Sequence, residues 1–394
     1  MTYSALRFSA CTFALLLGSS AALAASGDLV TSVKDGPAVD PSTLKELTNS
    51  LPAPNTSRVR ALGPEAGLKA GVSTGPATRL DRAFGSFGIP YTTTRVQLGN
   101  ASAAGVTTAN QLSTTYPYRA VGKLTFNAGY CSASLIRRSV MVTAAHCFQR
   151  FGSGATTYNT FRFMPGHYSA VGATAAQIAP YGTWTTRTVA RAATWANGTD
   201  VGSGSARDND VALFIISRDG LGRFIGDTTG YMSYGWNNYS FVTSSKTGNL
   251  ATAAVSTLGY PALMDSGRIM QRSDGPVYKT VVGGAKQLWQ GSNFTGGSSG
   301  GPWVVNFSGR NAVLTGGAVL GSASTIAVVG VTSWGSADPN AIKDNYSSQF
   351  AQNARYPNAD YGGRGAGNIG SLMNSLCTSA APEGGTYASQ GYCN

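Results

Sequence analysis

Residues Thr295–Trp303 read TGGSSGGPW, in which two serines lie between two pairs of glycines and a proline and a tryptophan follow at once. Runs of Gly and Ser usually act as solvated spacers, and this chain carries 51 glycines among its 394 residues. The same run would also suit a reactive serine, because glycine lets a substrate approach bare backbone. The composition of the run cannot distinguish a linker from a reaction centre, so the rest of the chain has to.

The chain begins with a stretch typical of exported proteins. Residues 1–24 contain a single arginine, an apolar run from Ala10 to Leu17, and small residues that end in Ala22-Leu23-Ala24. This apolar run is far shorter than the roughly 20 residues that cross a bilayer, and no later apolar run is longer. We therefore predict a signal peptide over 1–24, no membrane anchor, and a secreted protein that is extracellular or periplasmic.

Export changes how the five cysteines are interpreted, because an oxidising compartment favours disulfides over metal thiolates. Cys11 lies in the predicted leader. The others are spaced as two pairs, Cys131 with Cys147 and Cys377 with Cys393, each sixteen positions apart. Four cysteines permit three connectivities, and loop closure favours the two local pairs. Since the chain has no CxxC motif and only two histidines, we predict no metal and no cofactor.

The composition is that of a basic globular protein. Hydrophobic residues make up 42% of the chain, enough for a core, and the formal net charge is +12. The arginines are scattered singly rather than clustered, which argues against a nucleic-acid partner.

The chain divides at a change of composition. Residues 26–82 are polar, with seven basic and six acidic side chains, and we predict a propeptide over 25–82. A candidate junction lies at TRLDRAFGSFGIPY, where Arg79 and Arg82 precede a Gly-rich stretch. Over 83–394, short runs rich in Val, Ile, Thr and Tyr alternate with turn residues, which indicates many strands. One helical pattern stands out near the end, at Ile369, Leu372, Met373 and Leu376. Antiparallel barrels or a sandwich are expected.

Histidine is the usual general base near neutral pH, and the chain offers two. His146 lies in VMVTAAHCF, after a β-branched run and beside a cysteine expected to form a disulfide. His167 follows a Pro-Gly turn in FMPGHYSA, and we expect it in an exposed loop. A lone histidine is more often structural than catalytic, so other residues must support either candidate.

A carboxylate can orient an imidazole. Asp210, in ARDNDVALFII, directly precedes an apolar strand, which would place its side chain at the mouth of a barrel. Asp208 competes for the same role, and either residue could instead cap a turn.

Chain order removes two kinds of nucleophile site. The run Gly297–Gly301 also fits G-x-S-x-G, the nucleophile elbow of α/β-hydrolases, but no histidine follows Ser299 as that fold requires. The subtilisin order needs an aspartate ahead of the histidine, and every aspartate before His146 lies in the predicted leader or propeptide. The order His, Asp, Ser remains.

Four motifs in this order, TAAHC, DNDVAL, GGSSGGPW and VTSWG, resemble the chymotrypsin-like serine peptidases. The stretches FRFMPG, APYGTW and LGYPALMDSG resemble the bacterial glutamyl-endopeptidase branch of that family. The resemblance covers Tyr116–Asn394. It implies an all-β fold of two six-stranded antiparallel β-barrels with a C-terminal helix, preceded by the signal peptide and propeptide.

The resemblance also implies roles for individual residues. His146 would be the general base, Asp210 its orienter and Ser299 the nucleophile, and the N–H groups of Gly297 and Ser299 would form the oxyanion hole. Ser333, Trp334 and Gly335 would pair with extended substrate, and Asn293 would lie in the side-chain pocket. The implied protein is a monomeric, secreted serine endopeptidase, made as a proenzyme, that cleaves polypeptides.

The chain departs from branches of the family at three places. Many animal members have an acidic residue immediately before the nucleophile, whereas this chain has Ser298, so a buried ion pair with a new N-terminus cannot form there. Glutamate-preferring relatives commonly place a histidine in the pocket, and VTSWG has none. Trypsin-like members carry aspartate where this chain has Asn293, so we do not expect Lys or Arg before the cleaved bond.

Two other functions fit the sequence. A secreted esterase would use the same chemistry on small esters. A binding protein with a peptidase fold would have lost turnover, although intact His146, Asp210 and Ser299 argue against it.

Overall fold

The computed structural model describes residues 27–37, 39–40, 43–47, 89–96, 112–245, 248–307, 312–313, 319–321, 325–335 and 343–394. The predicted signal peptide and the candidate junction at Arg79 and Arg82 lie outside these residues.

The described residues contain mostly strands, with short helices and one long helix. The strands are β1 (Leu29–Ser32), β2 (Thr92–Arg95), β3 (Val121–Phe126), β4 (Gly129–Arg137), β5 (Val140–Thr143), β6 (Arg162–Pro165), β7 (Trp184–Arg191), β8 (Ala212–Ile216), β9 (Ser233–Tyr234), β10 (Thr252–Gly259), β11 (Gln271–Val282), β12 (Ala285–Gly291), β13 (Pro302–Val305), β14 (Ala312–Val313), β15 (Val319–Leu320), β16 (Ala327–Gly335) and β17 (Asp344–Gln349). The helices are α1 (Ala175–Ile178), α2 (Ala193–Ala196), α3 (Ile225–Thr229) and α4 (Gly367–Thr378).

The first barrel is built from β3 to β8. These strands follow the order β7-β6-β3-β4-β5-β8, and a further pairing of β7 with β8 closes the sheet. Every pairing in the ring is antiparallel. Strands β3, β5 and β8 are buried throughout, because β-branched and aromatic side chains fill the interior of a small barrel.

The second barrel is built from six later strands in the order β10-β13-β16-β17-β12-β11, closed by β10 against β11. Strand β2 adds to the outside of β11, and β9 pairs in parallel with the start of β16. The prediction of two six-stranded antiparallel β-barrels is therefore confirmed. Closure leaves no open edge within either ring.

The C-terminal segment packs on the first barrel. Helix α4 carries the predicted apolar pattern, and Ile369, Leu372, Met373 and Leu376 are all buried in the main core. Its end is held by the disulfide between Cys377 and Cys393. Among the residues that the structure describes, no helix is long and apolar enough to cross a membrane.

Candidate active site

His146 and Asp210 are brought together by the register of two neighbouring strands. In the antiparallel pair β5 and β8, Thr143 lies opposite Ala212. His146 follows β5 in the 3-10 turn Ala145–Cys147, and Asp210 comes two residues before Ala212. Both side chains therefore lie at the same end of the first barrel. Antiparallel pairing turns residues 64 positions apart in sequence into direct neighbours.

The Asp210 carboxylate holds the backbone and the ring of His146. The His146 N–H donates to Asp210 Oδ1 at 2.9 Å, and His146 Nδ1 lies 2.7 Å from Asp210 Oδ2. Ser333 Oγ donates to the same Oδ2 at 2.6 Å. Asp210 is fully buried and His146 is 4% exposed. An ionised carboxylate in this position places the proton of a neutral ring on Nδ1 and leaves the lone pair on Nε2.

The loop before β8 fixes Asp210 and settles its competition with Asp208. The Asn209 N–H and Nδ2 donate to the two oxygens of Asp200 at 2.8 and 2.7 Å, which ties the loop to a buried carboxylate. Asp208 accepts a hydrogen bond from the Lys286 N–H in the second barrel, away from His146. Burial raises the pKa of Asp208 to about 6. Of the two aspartates, only Asp210 contacts the imidazole.

The disulfide between Cys131 and Cys147 connects β4 to the turn that carries His146. Its Cα atoms are 6.2 Å apart, and both cysteines are fully buried. The sulfur atoms of the Cys131, His146 and Cys147 cluster are therefore bonded to each other and are not thiolate ligands. Both predicted disulfides are present in the structure.

The serine loop, residues 292–301, is held against both barrels by backbone hydrogen bonds. The Ser132 N–H in β4 donates to the Ser299 carbonyl at 2.8 Å. Gly300 and Gly301 pair with Thr332 of β16. The Gly300 N–H donates to the Thr332 carbonyl at 2.8 Å, and the Thr332 N–H donates to the Gly301 carbonyl at 2.9 Å. The loop thus contacts β4 on one side and, on the other, the strand whose next residue, Ser333, binds Asp210.

Gly300 brings this loop against the histidine turn. Its φ is +77°, and a Cβ built there would lie 1.9 Å from Thr143 Oγ1 and 2.8 Å from the Ala144 N. Only glycine can fill such a position, because both the backbone angle and the space exclude a side chain. The close approach places Ser299 beside the segment that leads into His146.

The two serines of the GGSSGG run have different environments. Ser298 is 3% exposed, and its Oγ donates to the Thr295 carbonyl at 2.6 Å. Ser299 is half-buried, and its Oγ makes no hydrogen bond with any described residue. His146 Nε2 is likewise buried without a hydrogen-bond partner among the described residues. Of the two hydroxyls, that of Ser299 is therefore the one left available for substrate.

The N–H groups of Gly297 and Ser299 are also uncommitted, since neither donates a hydrogen bond to a described residue. The Gly297 carbonyl accepts from Ser132 Oγ at 2.8 Å, which fixes the orientation of the following peptide. Gly297 has a φ of +90°, and a Cβ there would lie 2.5 Å from the Tyr260 carbonyl and 2.6 Å from the Tyr130 ring. Two free amide donors in a rigid loop are the elements of an oxyanion hole. The sequence had not indicated that Ser132, Tyr130 and Tyr260 support this loop.

The strand segment Ser333–Gly335 lies at the end of β16. Strand β13 pairs with β16 as far as Val331, and beyond that residue this edge has no strand partner within the described parts of the chain. Trp334 is largely buried, and its ring stacks on Tyr346 at 3.9 Å, whereas Gly335 is exposed. The end of the strand is therefore rigid, and its edge can accept an extended peptide.

Asn293 is half-buried, and its Oδ1 accepts a hydrogen bond from Thr93 Oγ1 in β2 at 2.7 Å. Sequence reasoning missed a second amide nearby. Asn345 is 2% exposed, donates from Nδ2 to the Phe294 carbonyl at 3.2 Å, and leaves its Oδ1 without a partner among the described residues. A Cβ at Gly335 would lie 2.0 Å from Asn345 Nδ2. Asn345 therefore lies directly beside the edge segment.

The prediction that His167 lies in an exposed loop is wrong. His167 is 2% exposed, its Nδ1 lies 2.8 Å from the Ile178 carbonyl, and its Nε2 lies 2.9 Å from Ser169 Oγ. Burial, with a smaller effect from the nearby charge of Lys123, lowers the pKa of His167 to about 3. The Pro-Gly turn is covered by residues distant in sequence, including Tyr260, whose ring packs on the imidazole.

Two closed antiparallel β-barrels, with a His–Asp pair on one and a glycine-flanked serine between them, define the class of chymotrypsin-like serine proteases. The chain belongs to the trypsin family, because the family profile described as Trypsin matches residues 106–353. Membership of a peptidase family implies a polypeptide substrate.

Among curated proteins, the glutamyl endopeptidase of Bacillus licheniformis is 27% identical over 198 residues, an alignment that covers 50% of this chain and 52% of that protein. The chain thus spans about half the length of the curated relative that it matches.

Three of the solved structures to which the chain is similar are proteases. The thermostable serine protease AL20 from an extremophilic microorganism has 23% identity and a TM-score of 0.44, covering 59% of this chain and 92% of that one. The protease Anisep from Arthrobacter nicotinovorans has 20% identity and a TM-score of 0.44, covering 59% and 91%. A Glu endopeptidase in complex with MPD has 17% identity and a TM-score of 0.42, covering 66% and 91%.

Proposed function

We propose that this protein is a secreted serine endopeptidase, made as a proenzyme, in which His146, Asp210 and Ser299 form a catalytic triad. The observation that carries the proposal is the state of His146. Its Nδ1 is bound to a buried aspartate, while its Nε2 is buried without a hydrogen-bond partner among the described residues, and the Ser299 hydroxyl also makes no hydrogen bond with them.

Acylation begins when Ser299 Oγ attacks the scissile carbonyl carbon and its proton passes to His146 Nε2. The new C–O bond forms as the carbonyl π electrons move to oxygen, and the N–H groups of Gly297 and Ser299 bind that oxyanion. Asp210 stabilises the imidazolium. The tetrahedral intermediate then collapses, the C–N bond breaks, and His146 returns the proton to the leaving amine.

Deacylation repeats these steps with water. His146 Nε2 takes a proton from water, the hydroxide adds to the acyl carbon, and the same two N–H groups bind the oxyanion. Collapse breaks the C–O bond to Ser299, which recovers its proton from His146. The peptide carboxylate leaves and the enzyme returns to its starting state.

An extended polypeptide suits this site better than a small ester does. The end of β16 offers backbone groups along an edge that has no strand partner among the described residues, so a peptide can add there as a further strand. Removal of an oxyanion donor in comparable sites costs about 2.7–4 kcal/mol in barrier, so the Gly297 loop is a main contributor to rate.

The primary pocket is expected to reject Lys and Arg before the cleaved bond. Its polar groups near the edge segment are the neutral amides of Asn293 and Asn345, and the Asn293 oxygen is already bound to Thr93. Burial of a cation without a carboxylate partner is costly. The curated relative is named a glutamyl endopeptidase, but this chain lacks the pocket histidine expected of that branch.

The decisive experiment is mass spectrometry of fragments from a denatured protein digested by the purified, processed enzyme, with Ser299→Ala as the matched control. We expect internal cleavages that the control does not produce, and few of them after Lys or Arg. Hydrolysis of small esters without any peptide cleavage would favour the esterase. Equal fragment patterns from the parent and the Ser299→Ala protein would contradict the triad.

A further inference from the structure

The N-terminal part of the described chain, residues 27–37, 39–40 and 43–47, contacts the first barrel and is firmly anchored at its start. Strand β1 pairs antiparallel with β7, and the Val33 N–H then donates to the Arg187 carbonyl at 2.8 Å. The Asp28 carboxylate accepts three hydrogen bonds from hydroxyl groups at the C-terminal side of the molecule. These come from Tyr356 at 2.7 Å, Ser371 at 2.8 Å and Ser375 at 2.6 Å.

The other end of the segment reaches the edge of β4 beside the serine loop. The Tyr130 N–H donates to the Lys45 carbonyl, and the Leu47 N–H donates to the Tyr130 carbonyl, both at 3.2 Å. These two bonds make Glu46 and Tyr130 a parallel bridge. The Leu47 side chain also packs against the main core.

The contact is adjacent to the proposed oxyanion hole. A Cβ built on Gly296 would lie 3.0 Å from Glu46 Cγ, and Gly296 directly precedes Gly297. Tyr130 holds the segment through its backbone, and the ring of the same residue closes the space around Gly297. Residues 45–47 therefore occupy the volume beside the reaction centre on its β4 side.

The direction of this segment is opposite to that of a substrate. Within β4, Tyr130 precedes Ser132, and the Ser132 N–H donates to the Ser299 carbonyl. The chain of β4 therefore approaches the proposed nucleophile in the N-to-C direction. A segment parallel to β4 also runs towards Ser299. The leaving-group half of a substrate runs away from the nucleophile, because it begins at the cleaved bond. The same edge would therefore pair with that half of a substrate in the antiparallel sense.

We propose that residues 43–47 are an autoinhibitory segment that occupies the leaving-group side of the active site in the reverse chain direction. This inference rests on the proposed peptidase function and specifies how the proenzyme is restrained. Reverse direction explains how the segment can cover the site without presenting its own peptide bond to Ser299. Substrates that extend past the cleaved bond are excluded, whereas substrates that end there are not.

The contact is suited to release. Leu44 and Glu46 line a cavity of about 510 Å³ together with Lys123, Tyr130 and Arg268 of the barrels and their loops. The segment therefore bridges a space rather than filling it, and two long backbone bonds hold its end. The anchored strand β1 keeps the local concentration of the segment high, so that a weak contact suffices while the chain is intact. Release of residues 45–47 from β4 requires only the loss of these two backbone hydrogen bonds and of the Leu47 contact, while β1 can stay in place.

The test uses the full chain after leader removal and two substrates with the same acyl half. One is a peptide p-nitroanilide, which has no residues beyond the cleaved bond, and the other continues for several residues. Leu47→Pro removes the N–H that donates to Tyr130, whereas Lys45→Pro retains both bonded groups, the Lys45 carbonyl and the Leu47 N–H. We measure initial rates, with mass spectrometry showing that the chain stays intact.

We expect Leu47→Pro to raise the rate on the longer peptide by roughly five- to tenfold, the effect of losing one hydrogen bond and gaining a clash in the inhibitory contact. The p-nitroanilide rate should stay unchanged in both variants, which also shows that the site remains folded, and Lys45→Pro should resemble the parent.

Equal rates on the longer peptide for the parent and Leu47→Pro, with the processed enzyme no faster, would overturn the autoinhibitory contact while leaving the peptidase function intact. Absence of hydrolysis of either substrate by every form, the processed enzyme included, would overturn the peptidase function and this inference together.

Discussion

The two ring nitrogens of His146 face opposite kinds of environment. On the Nδ1 side, Asp210 is fully buried and accepts three hydrogen bonds, from the His146 N–H, the His146 ring and Ser333 Oγ. By contrast, His146 Nε2 has no hydrogen-bond partner among the described residues, and neither have Ser299 Oγ or the N–H groups of Gly297 and Ser299. One side is complete before substrate arrives, and the other is left incomplete.

This difference indicates separate roles for the two sets of groups: one fixes the geometry of the site and the other is left for the substrate. Satisfied groups fix the geometry, since the His146 ring would lose its hydrogen bond to Asp210 if it moved. Unsatisfied groups are costly to bury, so they persist only where the surrounding backbone holds them in place, as glycines 297 and 300 do. The substrate then supplies the missing partners as the transition state forms.

The largest expected effect comes from removing the proposed nucleophile, Ser299, on the incomplete side. Ser299→Ala should lower kcat by a factor on the order of 10⁶, as expected when the nucleophile of a triad is deleted. The folded structure should be retained, because Ser299 Oγ makes no hydrogen bond with any residue that the structure describes. Steady-state kinetics together with thermal unfolding tests this expectation. A variant that keeps appreciable turnover would mean that another group attacks.

The second largest fall in kcat is expected from a change on the complete side, at Asp210. Asp210→Asn replaces two acceptor oxygens by one oxygen and one NH₂ group, while three donors still point at the side chain. At least one donor then faces another donor, and the ring is driven to the tautomer with its proton on Nε2, which cannot accept from serine. We expect kcat to fall by about 10⁴. Asp208→Asn is the matched control, since Asp208 binds Lys286 instead, and it should retain activity. A mild effect of Asp210→Asn would show that the complete side is not needed for catalysis.

Much of this arrangement was accessible from sequence. Short apolar runs such as SVMVTA and VALFII predicted the strands of the barrels, and chain order alone eliminated two other hydrolase types. Local pattern left Asp208 and Asp210 as alternatives, and only the family resemblance favoured Asp210, because the choice depends on the register of β5 against β8 and on the position of Lys286. The burial of His167 was missed because Ile178 and Tyr260, which cover it, lie beyond the reach of local pattern.

The N-terminal region shows the same limit. Residues 27–47 are polar and give little sign of a packed role, yet LVTS forms β1 on the first barrel. Strand addition needs backbone groups and an available edge far more than it needs apolar side chains. Composition identifies the segment as separate from the core, and only the fold shows where it lies.

A smaller effect should follow from trimming the complete side without breaking it. Ser333→Ala removes one of the three donors to Asp210 but leaves both bonds from His146. We expect kcat to fall by about tenfold, which corresponds to the roughly 1.4 kcal/mol of a hydrogen bond to a charged group. Ser139→Ala is the matched control, because Ser139 is also buried and donates to a carbonyl, that of Ile216 at 3.2 Å. That variant should lose some stability but not kcat, and equal kinetic losses in both would assign Ser333 a purely structural role.

The smallest expected effect distinguishes the two serines of the GGSSGG run. Ser298→Ala should keep kcat within roughly threefold of the parent, because the Ser298 hydroxyl is turned inward onto the Thr295 carbonyl and is 3% exposed. The Thr295 carbonyl keeps a second donor, the Ser298 N–H at 3.2 Å, so the turn should persist without the hydroxyl. If Ser299 is the nucleophile, the residue two before it is Gly297, which supplies the second oxyanion donor, and the residue after it is Gly300. If Ser298 were the nucleophile, the residue after it would be Ser299 and not a glycine. Labelling by a fluorophosphonate should therefore map to Ser299 in the parent and in Ser298→Ala. A label on Ser298, or an inactive Ser298→Ala protein, would move the nucleophile to the buried hydroxyl and remove Gly297 from the oxyanion hole.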